Sequence, residues 1–182
     1  TSLSSSLYYF NGPTKFGSLR NISLIRKGTS IGTIDFYNYL LYGKVPDDMR
    51  LQMDDVVFVP YRGKTVTIKG EINRQGIYEL KEDEGLKDLI EIAGDLSTAA
   101  YTKRAQINRI VSKENRNSFG MDRMIIDIDL EDVLFNNKNI ELLDGDTINI
   151  FSIKTMYQNY VSINSNSVTR PGMYQLIPGM KI

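Results

Sequence analysis

From Val66 to Ile72 the chain alternates apolar and polar residues, V-T-I-K-G-E-I, a period of two that predicts a strand with one buried face. The Asn73-Arg-Gln-Gly76 turn leads into a second short strand, Ile77-Tyr-Glu-Leu80. The period then changes. Leu86, Leu89, Ile90 and Ala93 fall at i, i+3, i+4 and i+7, one face of a helix, with Glu82 and Glu84 near the favourable N-terminal end of its dipole and Gly94 as its C-cap. Ala105–Val111 and Met124–Leu130 read as a strand pair joined by a polar loop, Ser112 to Asp122, and Glu131–Phe135 as a short helical turn. A last strand, Thr147–Ile150, leaves the Leu143-Asp-Gly-Asp146 turn, whose Asp-Gly pair and Gly145 favour reversal of the chain.

A hairpin, a helix, a second hairpin, a helical turn and a closing strand is the order of a β-grasp, or ubiquitin-like, domain. The fold class expected is therefore α+β, with a mixed sheet wrapped on one helix per unit. The chain also repeats itself. V-T-I-K-G-E-I-N-R-Q-G-I-Y-E-L at 66–80 returns at 161–176 with one extra residue, so that Arg74, Gly76, Tyr78 and Leu80 match Arg170, Gly172, Tyr174 and Leu176. The other half of the unit repeats as well. Phe10–Thr14 and Asn21–Arg26 lie over Ala93–Ser97 and Arg104–Arg109, Ile34–Leu40 over Ile128–Leu134, and Leu51–Val59 over Leu142–Ile150.

Three unequal pieces follow: 1–63, the C-terminal part of a first unit; 64–155, a complete second unit; and 156–182, the opening hairpin of a third. They read as a segment of a longer protein. Isolated two-stranded hairpins are marginal in water, so 156–182 is expected to dock, either on residues 1–63 of its own molecule or on a neighbour.

These residues resemble the SLBB (soluble ligand-binding β-grasp) domains of bacterial outer-membrane polysaccharide, or capsule, export proteins. The family pattern runs from a V-x-G-x-V-x-R-P-G-x-Y-x-L hairpin through an A-G-G-[LP]-[ST] helix end to a strand ending in Arg and an acidic L-x-x-G-D turn. The chain supplies Ile68 in place of the Val, then Gly70, Ile72, Arg74, Gly76, Tyr78, Leu80, Ala93, Gly94, Leu96, Arg109, Leu142, Gly145 and Asp146. The Gly12–Asn21 run and Val56–Pro60 are also similar to the capsule-export branch. The chain departs at Gln75, which replaces the Pro, at Asp95, which replaces the second Gly, and at Asn11, which stands where the first unit would carry the counterpart of Gly94.

Composition removes alternatives more than it adds any. Equal numbers of basic and acidic residues, 22 each, are scattered end to end without the basic stripe that competes for phosphates, which argues against nucleic acid. With no His the chain lacks the commonest general base and metal ligand, and with no Cys it has neither disulfides nor thiol chemistry. Gly63-Lys-Thr65 lacks the upstream Gly of a phosphate loop, where Phe58 stands, and the acidic run Asp127–Asp132 has Asp132 and Lys138 where a calcium loop needs Gly and Glu. No enzyme activity, cofactor or metal is expected. No apolar leader and no run of about 18 apolar residues occurs along the sequence.

The resemblance implies a periplasmic module of an outer-membrane-associated exporter. It would be part of an oligomeric ring that conducts capsular or exopolysaccharide, in contact with an inner-membrane export partner and touching the polymer weakly and transiently. The alternative is a glycan-binding module that reads or tethers the polysaccharide. Tyr78, Tyr174, Tyr157 and Tyr160 are the candidates for stacking on sugars, with Arg74 and Arg170 beside the turns as partners for acidic ones. Against this stands a packing role, since Tyr suits strands and Tyr78 and Tyr174 recur at one hairpin position, and for Arg74 and Arg170 a turn-stabilising or subunit-bridging charge. Gly76 and Gly172 are expected to need a positive φ.

Overall fold

The computed structural model describes residues 1–44, 49–136, 138–153, 160–164 and 169–175. Two compact units divide the chain, Thr1–Ser152 and Ile153–Ile182. In the first unit, α1 (Leu3–Tyr9) precedes the hairpin β1 (Ile22–Arg26) and β2 (Thr29–Ile34), then α2 (Phe36–Tyr42) and β3 (Val56–Phe58). The hairpin β4 (Lys64–Gly70) and β5 (Gly76–Leu80) follows, then α3 (Leu86–Ile92), β6 (Ala100–Ile110), α4 (Lys113–Phe119), β7 (Arg123–Ile128), α5 (Leu130–Phe135) and β8 (Thr147–Ser152). The second unit holds the antiparallel pair β9 (Tyr160–Ile163) and β10 (Gly172–Gln175).

The predicted hairpin, helix and strand pair all form where the patterns placed them. β4 to β8 build one five-stranded sheet in the order β5-β4-β8-β6-β7, in which β4 and β8 run parallel and every other pair antiparallel. One face of it buries Val66, Ile68, Ile107, Ile148 and Ile150 against Leu86, Leu89 and Ile90 of α3. This mixed α+β arrangement is compatible with a β-grasp-like SLBB fold. A smaller core, Leu3, Leu7, Ile22, Leu24 and Ile34, lies under the three-stranded sheet β2-β1-β3. No helix among the described residues is long and apolar enough to cross a membrane.

Matched sequence is accompanied by matched bonds. Arg26 donates to both carboxylate oxygens of Asp55 at 2.8 and 2.7 Å and to the Arg50 carbonyl at 3.1 Å. Arg109 does the same with Asp146, from 2.7 Å, and with the Glu141 carbonyl at 3.0 Å. Asp55 and Asp146 each accept a backbone N–H three residues upstream, from Gln52 and Leu143. Asp35 caps α2 through the Tyr37 N–H, as Asp129 caps α5 through that of Glu131. Even the left-handed turns recur, at Asn11 and Gly12 after α1 and at Gly94 and Asp95 after α3. The sequence patterns did not anticipate α1, whose register on α3 follows once these turns are superposed.

Two expectations need correction. The polar loop 112–122 contains α4, which solvent-facing residues conceal from any apolar periodicity. Gly172 has a positive φ, at 158°, whereas Gly76 does not, because it is already the first residue of β5, extended opposite Ile68. The positive φ of this hairpin lies at Gly70, at +91°, where a Cβ would run into the Ile150 carbonyl of β8. At the α3 N-terminus, which Glu82 and Glu84 precede as expected, Asp88 accepts the Gly85 N–H at 2.8 Å.

Candidate functional site

The two hairpin turns show how the predicted site residues are used. Tyr78 lies on β5, and its hydroxyl donates to the Arg74 carbonyl at 2.7 Å across the turn. Tyr174 on β10 makes the same bond to Arg170, again at 2.7 Å. The structure thus pairs Tyr78 with Arg74 and Tyr174 with Arg170. Tyr160 opens β9, with its side chain outside what is described, and Tyr157 lies outside the described residues.

Arg74 is held against the C-terminal end of α3. Its N–H donates to the Ala93 carbonyl at 3.0 Å and its guanidinium to the Ile92 carbonyl at 3.1 Å. A cation there complements the helix dipole and satisfies carbonyls that the helix leaves open. Gly94, with φ +80°, completes the lock: a Cβ at that position would lie 2.9 Å from Arg74 Nε. Asn73 adds a bond from its side-chain amide to the Gly94 carbonyl at 2.6 Å. Burial pushes the Tyr78 phenol up, so at neutral pH it remains a donor. Arg74 and the Tyr78 hydroxyl are thus both used in bonds within the hairpin and its helix.

Sequence reasoning missed a charge cluster where residues 1–63 meet the five-stranded sheet. Arg20 Nη1 and Nη2 donate to Glu84 at 2.5 and 2.8 Å, Nη2 also donates to Asp35 at 3.1 Å, and Lys81 pairs with Asp35 at 2.8 Å. The side chains of Arg20, Asp35 and Glu84 are only 8, 10 and 17% exposed. Burial opposes the charge on Arg20, but its bonds to Glu84 and Asp35 raise its pKa on balance; burial likewise pushes Asp35 up, and hydrogen bonds from Arg20 and Lys81 outweigh it, leaving its carboxyl below the usual value. Next to this cluster Glu79 accepts from the Ser18 hydroxyl at 2.7 Å and from the N–H groups of Leu19 and Gly63. Tyr37 closes the group: its hydroxyl oxygen accepts the Glu79 backbone N–H at 3.0 Å, and its ring lies 4.7 Å from the Arg20 guanidinium. Alternation in β5 puts Glu79 on the face opposite Tyr78 and Leu80, where a charged residue reads as solvent-exposed, so its burial by Ser18, Leu19 and Gly63 carried no signal in the sequence.

A second feature is a groove of about 760 Å³ between α1 and α2, lined by Leu7, Tyr8, Leu19, Phe36, Tyr39 and Leu40, with Ser4, Ser5 and Asn11 as polar members. It offers three aromatic rings and no charged side chain. The Arg20 cluster borders a smaller, polar cleft of about 210 Å³.

No curated protein matches the chain. The family model of the SLBB domain matches residues 65–122, from β4 through α3 and β6 to the residue before β7. That stretch contains the Tyr78–Arg74 turn and the α3 end that it locks, and over these residues the chain is similar to SLBB domains.

Proposed function

We propose that this chain is a periplasmic module of an outer-membrane polysaccharide exporter, and that it forms part of the wall of an oligomeric conduit for capsular or exopolysaccharide. Residues 1–63 are the C-terminal part of a first SLBB unit, 64–155 a complete second one and 156–182 the opening hairpin of a third. The module makes and breaks no bonds. Its partners are further copies of itself in a ring, an inner-membrane export partner, and a polymer held weakly enough to keep moving, as any conduit requires.

One observation carries the scaffold reading: the aromatic and basic residues best suited to sugars are spent on internal bonds, Tyr78 on the Arg74 carbonyl and Arg74 on α3. The matched Arg26–Asp55 and Arg109–Asp146 pairs supply the same kind of stiffening in both halves of the first unit. A glycan-binding module is the second reading, and the groove between α1 and α2 favours it, since Tyr8, Phe36 and Tyr39 present ring faces beside hydroxyls.

An NMR titration of the labelled protein with oligosaccharides of the source organism's capsule separates the two. The scaffold reading expects spectra unmoved at about millimolar glycan, a concentration that corresponds to roughly 4 kcal/mol of binding. Saturable shifts around Tyr8 and Tyr39, lost in a folded Tyr39→Ala variant, would establish the binding module instead.

A further inference from the structure

On the face of the five-stranded sheet turned away from α3, one row of side chains crosses every strand by register: Ile77 of β5, Thr67 of β4, Thr147 of β8, Asn108 of β6 and Ile125 of β7. A second row beside it holds Lys69, Asn149, Gln106 and Asp127. Thr67, Thr147, Asn108 and Asn149 are half-buried, their polar atoms reach solvent, and among the described residues none of these four side chains makes a hydrogen bond. Asn is poorly suited to strands, yet these two stand on interior strands of the sheet without an internal bond in return. A local rule broken with no gain to the fold marks a position kept for function.

The open groups of this face are hydroxyls and amides, which donate and accept at once, as sugar hydroxyls do. Ile77 and Ile125, each 64% exposed, end the first row with apolar surface for the C–H faces of a sugar. Neighbouring strands lie about 4.8 Å apart, close to the length of one pyranose ring, so a chain laid across the strands brings successive sugars over successive side chains. At its Ile77 end the row enters a cleft of about 240 Å³, where Lys15 and Arg62 stand beside Thr65 and Glu79. Glu79 is buried and spent on Ser18, Leu19 and Gly63, whereas Lys15 and Arg62 enter no ion pair among the described residues. The free charge of the cleft is therefore cationic, and its complement is a carboxylate. All of these residues lie between Pro13 and Ser152, within one compact unit.

We propose that this face is a track for an acidic polysaccharide, which crosses the strands from Ile77 towards Ile125 with a carboxylate held by Lys15 and Arg62 and its hydroxyls on Thr67, Thr147, Asn108 and Asn149. The occupant rests on the conduit reading of the proposed function, and the track adds to that reading both the surface that meets the polymer and the polymer's charge. Uncharged contacts of similar strength at even spacing let a chain step along without lodging, as conduction requires.

The test is an NMR titration of the labelled full chain with trigalacturonate, with maltotriose as the neutral control and triglutamate as the peptide control, each to about 100 mM at constant ionic strength. Fast-exchange shifts are expected at the side-chain amides of Asn108 and Asn149 and along β4, β8 and β6, half-complete at tens of millimolar and thus nearly unseen at about 1 mM. Maltotriose is expected to shift them about threefold less, and the variant carrying both Lys15→Gln and Arg62→Gln to erase that difference. Asn149→Val, a better strand former, is expected to melt no lower than the parent yet to weaken the response about fivefold; a lower melting temperature with an unchanged response would make Asn149 structural and overturn its role. Unmoved amides at the highest concentration, an equal response to triglutamate, or an acid preference that survives loss of both cations would each overturn the track. Failure here leaves the conduit standing, since a wall can pass a polymer without holding it; the conduit reading fails instead on saturable shifts at Tyr8 and Tyr39 at about millimolar glycan.

Discussion

Asp55 shows how a single side chain can set the acid limit of this protein. Its carboxylate is 2% exposed and accepts from Arg26 and from the Gln52 N–H, bonds that outweigh desolvation and bring its pKa from 3.8 to about 2. A carboxyl depressed in the folded state contributes stability that is complete above its unfolded pKa and is lost as pH falls through the folded one. The urea midpoint is therefore expected to fall between about pH 4 and pH 2, and Asp55→Asn to flatten that slope while lowering the neutral-pH midpoint, as denaturant titrations across this range will read. The Tyr78 hydroxyl is a second test at this scale. Tyr78→Phe removes one bond to the Arg74 carbonyl, keeps the ring packed, and is expected to cost about 1 kcal/mol in chemical unfolding.

At the scale of elements, the β4–β5 hairpin is fixed less by its turn than by what it touches. Gly70 combines φ +91° with a backbone approach to Ile150 that leaves no room for a Cβ. Gly70→Ala is accordingly expected to destabilise far more than Gly76→Ala, whose Cβ would meet the Tyr78 ring at an ordinary 3.5 Å; thermal melts of the two variants compare them directly. The same contrast explains what could be read from sequence. Alternation placed β4, β5 and β8, and helical spacing placed α3, because each has one face in the core. It could not find α4, whose residues face water, nor tell which hairpin glycine carries the strain, since that depends on a strand eighty residues away. The repeated Tyr and Arg were legible as a pair and Arg as a turn-stabilising charge, but not the lock onto α3, because the carbonyls that engage Arg74 are invisible to side-chain pattern.

For the whole molecule, the Arg20 cluster is what ties residues 1–63 to the five-stranded sheet. Removing one member of a buried ion pair strands its partners, so Arg20→Ala is expected to cost about 3 kcal/mol or more, with Asp35 and Glu84 left facing each other. Truncation after Ser152 should by contrast keep a single cooperative transition, since Thr1–Ser152 is one compact unit; calorimetry of the truncated chain checks this. The place of β8 has a consequence for how the protein is made. The strand at the centre of the sheet is the last of the five to leave the ribosome, so β4–β5 and β6–β7 emerge as two hairpins whose inner edges wait unpaired for it. Assembly is thereby non-local and slow, and a nascent chain halted before Thr147 carries two sticky edges that a chaperone would have to shield.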